Sequence, residues 1–351
     1  MTRQQAITRR RFGGLGVAAA AAAALPTRRS RAAGTLRLLT WEGYADDAWV
    51  KKFEEKSGAT VNVAYTGSVD EMFAKMQGSA GADFDVLAFD TSTFKRYHDQ
   101  KLIQAVDLSK VPNAANLLPA FQNHPALQFD GKPFGVPFAW GSLPLIYDEA
   151  AFPGGAPDSW KVFWDPKYAQ QMIVLDDANN NIVNTAIMLG YKDPFNLSDA
   201  QFAEVKKNLI EQKKLVLTYY AGFEDGVNIF AQGGVKLMFS MGEPQKGMLV
   251  GKGIKANFTI PKEGAIGWLD CWNISAGCKD VDLAHAWINA MLDKEVGAYI
   301  SKQHNYGNTT DAAANDAAGF NYADKLVFLQ TPEDFQKRVE LWNEVKAAPV
   351  Q

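Results

Sequence analysis

From Thr35 onward, short apolar runs alternate with segments whose apolar residues recur every three or four positions. Leu36 to Thr40 reads as a strand. Asp46 and Asp47 stand where a helix needs a cap. Val50 and Phe53 then follow on one face, and Gly58 stops the helix. Val61, Val63 and Tyr65 alternate with other positions as a half-buried strand. Ser68 and Glu71 form a capping-box pattern ahead of Met72, Phe73 and Met76, and Gly78 ends that helix. Asp85 to Phe89 reads as a buried strand and Thr91 to His98 as the next helix. This strand–helix alternation predicts a parallel sheet with helices on its faces. Ligands of such sheets gather at the carboxyl ends of the strands. Those ends are Thr40-Trp41-Glu42-Gly43-Tyr44 and Asp90-Thr91-Ser92.

The middle of the chain repeats the logic. A strand over Met172 to Leu175 runs into Asp176-Asp177, and Ser198 caps a long helix through Lys214. Leu215 to Thr218 and Val235 to Ser240 read as strands separated by a helix near Val227 to Gln232. Helices over Asp282 to Asp293, Lys294 to His304 and Pro332 to Lys346 finish the chain, and no repeat period suggests a solenoid.

The chain has 351 residues, enough for roughly two domains. Its first 33 residues have a different character. Thr8-Arg9-Arg10-Arg11-Phe12 precedes a mild apolar stretch of Gly and Ala ending near Leu25. This resembles a twin-arginine export signal, with cleavage near Ala32 or Ala33, and predicts a periplasmic protein. Gly14-Leu15-Gly16-Val17-Ala18-Ala19 imitates a dinucleotide fingerprint, but no strand precedes it and no acid follows at the needed distance. The segment holds seven of the 36 basic residues and no acid, so the rest carries 29 basic against 39 acidic residues, a net charge of −10. That balance suits a cationic ligand and argues against nucleic acid as a partner.

Catalytic and metal signatures are missing. The four histidines, His98, His124, His285 and His304, show no metal-ligand spacing, and no nucleophile elbow or phosphate loop occurs. Neither a cofactor nor an enzymatic activity is expected. Aromatic and acidic residues gather near turns instead: Trp41, Tyr44, Trp140, Trp268, Asp270, Trp272 and Tyr306. A Trp-x-Asp unit suits a cation, because a ring face attracts an ammonium and a carboxylate takes its charged hydrogen bonds. Trp49, Trp160, Trp164, Trp287 and Trp342, at helical or helix-flanking positions, read as packing residues. Cys271 and Cys278 are separated by six residues. Export permits a disulfide between them, whereas a strand over Trp272 to Ser275 would carry them apart.

The run Pro261-Lys262-Glu263-Gly264-Ala265-Ile266-Gly267-Trp268-Leu269-Asp270 resembles the bacterial spermidine/putrescine-binding proteins of ABC transporters. That family has Pro-Lys-Glu-Gly followed by Trp-x-Asp at the same spacing. Thr40-Trp41-Glu42-Gly43-Tyr44, Pro137-Phe138-Ala139-Trp140-Gly141, Ser159-Trp160, Pro166-Lys167-Tyr168 and Leu175-Asp176-Asp177-Ala178 also look like family segments. The resemblance implies an α/β fold, a two-lobed type II periplasmic binding protein with a mostly parallel sheet in each lobe. One lobe would hold 34–138 and 268–312, the other 139–267 and 313–351. Two crossing segments, near Pro137 to Ala139 and Ala265 to Trp268, would act as a hinge. The resemblance implies a monomer that passes a small amine to membrane permease subunits.

By matching positions, Trp41, Tyr44, Asp177, Trp268, Asp270 and Tyr306 would contact the ligand, with Asp270 on one ammonium and Asp177 toward the other end. The chain also departs from the family. A second family carboxylate appears as Asn180, a wall tryptophan as Ser240, and a serine and tyrosine of another cleft loop as Asp90 and Ser92. Glu224, Asp225 or Glu243 could supply a replacement acid, or serve as ordinary loop charges. These departures point to a short diamine or an ω-amino acid such as 4-aminobutyrate rather than spermidine. A ferric-ion reading rests on the adjacent Tyr219 and Tyr220, since phenolate oxygens suit Fe³⁺.

Overall fold

A computed structural model describes residues 34–349. The signal segment, and with it the twin-arginine motif and the cleavage point, lies outside the described residues. Among those residues the strands form two main sheets and a small two-stranded one. The first sheet runs in the order Gly307–Asn308, Val136–Ser142, Ala265–Ser275, Val86–Asp90, Thr35–Thr40, Thr60–Tyr65. Leu326–Phe328 and Ile103–Gln104 pair with opposite ends of Ala265–Ser275. The last three strands of that order are mutually parallel, and Ala265–Ser275 enters antiparallel beside Val86–Asp90. The second sheet runs Thr218–Tyr220, Met172–Leu175, Leu237–Phe239, Leu145–Asp148, Ala256–Thr259, with Leu145–Asp148 antiparallel to both its neighbours.

The two-residue period of the strands decides which core each side chain enters. Leu36, Leu38, Val86, Ala88, Trp272 and Ile274 share one core with Trp287 and Ile288 of the helix Val281–Met291. Leu39, Leu87, Phe89, Leu269 and Cys271 face the other way. They pack on Met72, Phe73 and Met76 of the helix Val69–Gly78. In the second sheet Met172, Ile173 and Val174 are fully buried, as expected for a strand covered on both faces. A further helical cluster, with Phe202, Val205, Leu209 and Trp342, joins Asp199–Lys213 to the C-terminal helix Phe335–Ala347. Arg338 fixes that helix. It is fully buried and donates to Asp334, Asn179 and the carbonyls of Pro194 and Phe195.

Local chemistry explains most helix ends. Gly58 sits at φ 71, a left-handed conformation in which glycine carries no Cβ penalty. Ser198 and Gln201 make a full capping box. Ser68 accepts from the Glu71 amide at 3.2 Å, but the Glu71 carboxylate reaches Gly67 rather than Ser68, so the expected box is half made. Asp46 makes no side-chain cap. Its carboxylate accepts from Tyr299 at 2.9 Å and meets His304 at 2.8 Å. The strand expected over Leu215 to Thr218 starts only at Thr218, because Leu215 and Val216 still donate to the Gln212 carbonyl of the preceding helix.

The passage between the sheets is short. Ala139 to Ser142 and Gly267 pair within the first sheet, so the chain leaves that sheet at Leu143 and Pro144. It returns between Thr259 and Ala265. Phe320, Tyr322 and Phe328 also pack in the first-sheet core, against Trp140, so a third passage follows Phe328. Trp140 and Trp272, grouped in the sequence with the aromatics near turns, are fully buried core residues. Trp140 donates to the Asn308 carbonyl at 2.9 Å.

Cys271 and Cys278 are both free. The strand carries Cys271 into the core and Cys278 beyond the strand end, so geometry prevails over redox permission. Thiol labelling of the denatured, unreduced protein should therefore give two modified cysteines per chain. In the folded protein Cys271 should stay unlabelled, because burial both hides its thiol and pushes its pKa up. Recovery of a bridged species would reject this arrangement.

Candidate functional site

Where the first sheet meets the wall of the second, a cavity of about 310 Å³ is lined by Trp41, Tyr44, Asp90, Trp268, Asp270 and Tyr306 from one side and by Phe223, Met241, Gly242 and Pro244 from the other. The loop after Thr35–Thr40 supplies Trp41 and Tyr44. The end of Val86–Asp90 supplies Asp90, and the strand Ala265–Ser275 supplies Trp268 and Asp270. Tyr306 precedes Gly307–Asn308. Six of the residues singled out in the sequence thus meet at one place.

The rings are set edge to face. Trp268 and Tyr306 have centroids 5.2 Å apart at 90°, and Tyr44 meets Phe138 at 5.2 Å and Tyr306 at 6.1 Å. Trp268 lies directly on Gly141. A Cβ there would stand 2.4 Å from the indole, so the glycine makes room for the ring.

The acids are the unusual part. Asp270 is buried and accepts from the Tyr44 hydroxyl at 2.5 Å. Burial, and then the facing Asp90, raise its pKa from 3.8 to about 8. Asp90 accepts from the Ser92 amide at 2.8 Å, and burial raises its pKa as well. No Lys, Arg or His lines the cavity. A site with acids, aromatic faces and no base can hold a cation. It offers no nucleophile–base pair for catalysis.

The remaining sequence candidates lie elsewhere. Asp177 and Asn180 line a separate groove of about 1010 Å³ with Asp70, Lys95, Arg96 and Glu333. There Asp177 caps the helix Ala178–Met188, accepting from the Asn180 amide at 2.7 Å, and burial raises its pKa. Glu224 and Asp225 are exposed in the first turn of Phe223–Ala231, and Asp225 accepts from the Ala221 amide. Ser240 is buried and donates to the Pro144 carbonyl at 2.6 Å, tying down the crossover. Glu243 turns away from the cavity. It accepts from the Ser142 amide and hydroxyl and from the Tyr322 hydroxyl.

Tyr219 and Tyr220 do not converge. As neighbours on a strand they point to opposite faces. Tyr219 stacks edge-on to Trp342, and Tyr220 donates to the Phe239 carbonyl. Among the described residues no three His, Cys, Asp or Glu side chains are grouped to hold a metal. The iron site read from that pair is not assembled.

Sequence reasoning missed Phe223, Met241, Gly242 and Pro244. It searched that region for acids, whereas the contribution is apolar. The available signal was an aromatic residue opening a helix straight after Gly222, which has φ 92.

The Asp270 carboxyl makes the protein pH-sensitive in a stated direction. Its proton is held in the folded chain up to about pH 8, whereas the unfolded chain releases it near 3.8. This contribution to stability is complete below the lower value and is lost as pH rises through the higher one. Thermal melts of the ligand-free protein should thus fall between about pH 5 and about pH 9, and Asp270→Asn should remove much of that fall. An unchanged slope in the variant would show that Asp270 ionises normally.

Residues 48–326 match the family model described as bacterial extracellular solute-binding protein. Among curated relatives, the chain is 28% identical over 267 residues to spermidine/putrescine-binding periplasmic protein 1 of Haemophilus influenzae, covering 74% of this chain and 71% of that one. It is 25% identical over 348 residues to the putrescine/cadaverine-binding protein of Pseudomonas aeruginosa, covering 91% and 95%. The crystal structure of the spermidine/putrescine ABC transporter substrate-binding protein PotD from Streptococcus pneumoniae superposes with a TM-score of 0.78 at 20% identity, over 90% of this chain and 99% of that one. That structure shares the two-lobed fold. With the match spanning most of its length, the chain belongs to the bacterial extracellular solute-binding protein family.

Proposed function

We propose that this chain is the substrate-binding component of an ABC importer and captures a small amine between its lobes. The observation that carries the reading is the aromatic cavity with one buried and one half-buried acid and no basic lining residue. Trp41, Trp268 and Tyr306 would hold the alkyl part of the ligand and Asp270, with Asp90, its ammonium. The names of the relatives, which bind spermidine, putrescine or cadaverine, point to the same chemistry. Closure would turn about Leu143–Pro144 and the segment between Thr259 and Ala265. We further propose that the protein is exported to the periplasm by its arginine-rich leader, acts there as a monomer and docks on permease subunits.

A compact ligand is favoured. The cavity volume, about 310 Å³, is at the lower end of the roughly 300–1,000 Å³ typical of small-molecule sites. Asn180, which replaces a family acid, brings no charge to the separate groove that it shares with Asp177. A long polyamine would have to extend past this cavity into that groove, where Asp177 is already engaged as a helix cap. Among short ligands the diamine is preferred to 4-aminobutyrate, because a ligand carboxylate would meet two acids and no basic side chain in this cavity, whereas the second ammonium of a diamine would be turned toward Asp177.

A thermal-shift screen tests this. Putrescine should raise the melting temperature more than spermidine, 4-aminobutyrate or a quaternary amine, because binding to the folded state stabilises it by mass action. The largest shift with spermidine would overturn the compact-ligand reading, and no shift with any amine would overturn the amine reading. Asp270→Ala should weaken binding of the best ligand by about 2–5 kcal/mol in calorimetric titration, since a buried cation loses its partner. Undiminished affinity would remove Asp270 from the site.

A further inference from the structure

Asp90 and Asp270 are directly opposed. In the antiparallel pairing of Val86–Asp90 with Ala265–Ser275 the register sets Asp270 against Asp90, Trp272 against Ala88 and Ile274 against Val86. Opposed residues share a face, and here Ala88, Val86, Trp272 and Ile274 all enter one core. Both aspartates therefore project to the side where Tyr44 lies, and both line the same cavity. Like charges set opposite each other across a sheet are destabilising, more so in a site of low polarity. No basic residue among the described ones relieves them, since neither acid takes part in an ion pair. Two carboxylates in such a place cannot both stay ionised without a cation.

We propose that Asp90 and Asp270 act as one subsite, which holds a proton when no cation is bound and releases it to solvent when the ammonium of the ligand enters. The inference rests on the reading of the cleft as an amine site and adds a mechanism to it. The exchange balances charge: one proton leaves, one ammonium arrives, and the pair passes from one negative charge to two beside the new cation. It also assigns specificity to Asp90. A second carboxylate at the same end of the cavity selects a head group with at least two N–H donors, one for each acid, and rejects a quaternary amine that has none.

The tyrosines and the thiol near the pair do not compete near neutrality. Tyr44, Tyr306 and Cys271 all have pKa values raised by burial and by Asp270. Tyr97, of the helix Phe94–Asp99, is raised by burial and feels Asp90. Glu243 lies behind Tyr306, and its pKa is also raised by burial. Among the described residues it is a further acid near the site that could exchange a proton.

The test is calorimetric titration of the full chain with putrescine near pH 7, in phosphate and in Tris, whose ionisation heats differ. The wild type should release up to one proton per putrescine bound, and the release should shrink toward pH 9, where the empty pair is already ionised. Asp90→Asn should lower the release and weaken putrescine roughly tenfold to a hundredfold. It should also reduce discrimination against a quaternary amine. Binding with the same heat in both buffers overturns the exchange and leaves the amine reading standing. So does Asp90→Asn with unchanged affinity and unchanged release. Loss of the release in Glu243→Gln, with retention in both aspartate variants, moves the proton to the crossover and also overturns the assignment. Absence of binding by putrescine overturns the exchange together with the diamine reading.

Discussion

The alternation of one strand organises this protein. Ala265–Ser275 pairs with Val136–Ser142, Val86–Asp90, Leu326–Phe328 and Ile103–Gln104. Its two-residue period sends Leu269 and Cys271 into one core and Trp272 and Ile274 into the other. Trp268 and Asp270 continue the second row to where the sheet gives way to the cleft. The aromatic face and the carboxylate are thus set by backbone register and cannot drift independently. A slip of one residue would send Asp270 into the core that Leu269 occupies, turn Leu269 to the cleft and put every partner on the wrong side.

Placing an acid on such a strand has an electrostatic cost, and the neighbours show how it is managed. Tyr44 gives Asp270 one hydrogen bond, and the Ser92 amide gives one to Asp90. The rest of the lining is aromatic or apolar. This is too little to hold two charges in a poorly polar place, and it is the reason both pKa values rise. The aromatic lining that would clamp an alkyl chain also desolvates the acids. Attraction for a cation is strengthened by the same burial that makes the empty site unfavourable.

Much of this was legible in the sequence, for a physical reason. Trp41 and Asp90 stand at strand ends, which announce themselves by a break in alternation followed by Trp, Tyr or Asp, whereas Trp268 and Asp270 lie inside Ala265–Ser275 and were marked by their Trp-x-Asp spacing. Tyr306 stood out only as one aromatic among several near turns, and the resemblance to polyamine-binding proteins supplied its ligand role. What failed involved depth and long-range closure. Trp140 stands next to Gly141 in the sequence much as Trp268 follows Gly267, yet it is fully buried, because its ring packs on Gly307 and its indole nitrogen finds the Asn308 carbonyl. No sequence window contains that partner. Phe223 and Met241 were missed for the same reason: an apolar residue announces a core or a cavity wall equally well, and only the fold decides.

The acids near the crossover differ in how many donors they face, and that difference separates their roles. Glu243 receives three hydrogen bonds, from the Ser142 amide, the Ser142 hydroxyl and Tyr322. These bind the loop of the second sheet to the end of a first-sheet strand. Its neighbours Gly242 and Pro244 line the cavity. The cavity wall is therefore fastened to the crossover through Glu243, and Ser240 adds a second tie to Pro144. Asp270 receives a single hydrogen bond from protein and keeps acceptor capacity for something else. An acid whose bonds tie two elements of the chain together serves the structure, and one that faces the cavity with a single bond is available to a ligand. Glu243 belongs to the crossover through its Oε1, while its Oε2 is buried without a hydrogen-bond partner, and Asp270 belongs to the cleft.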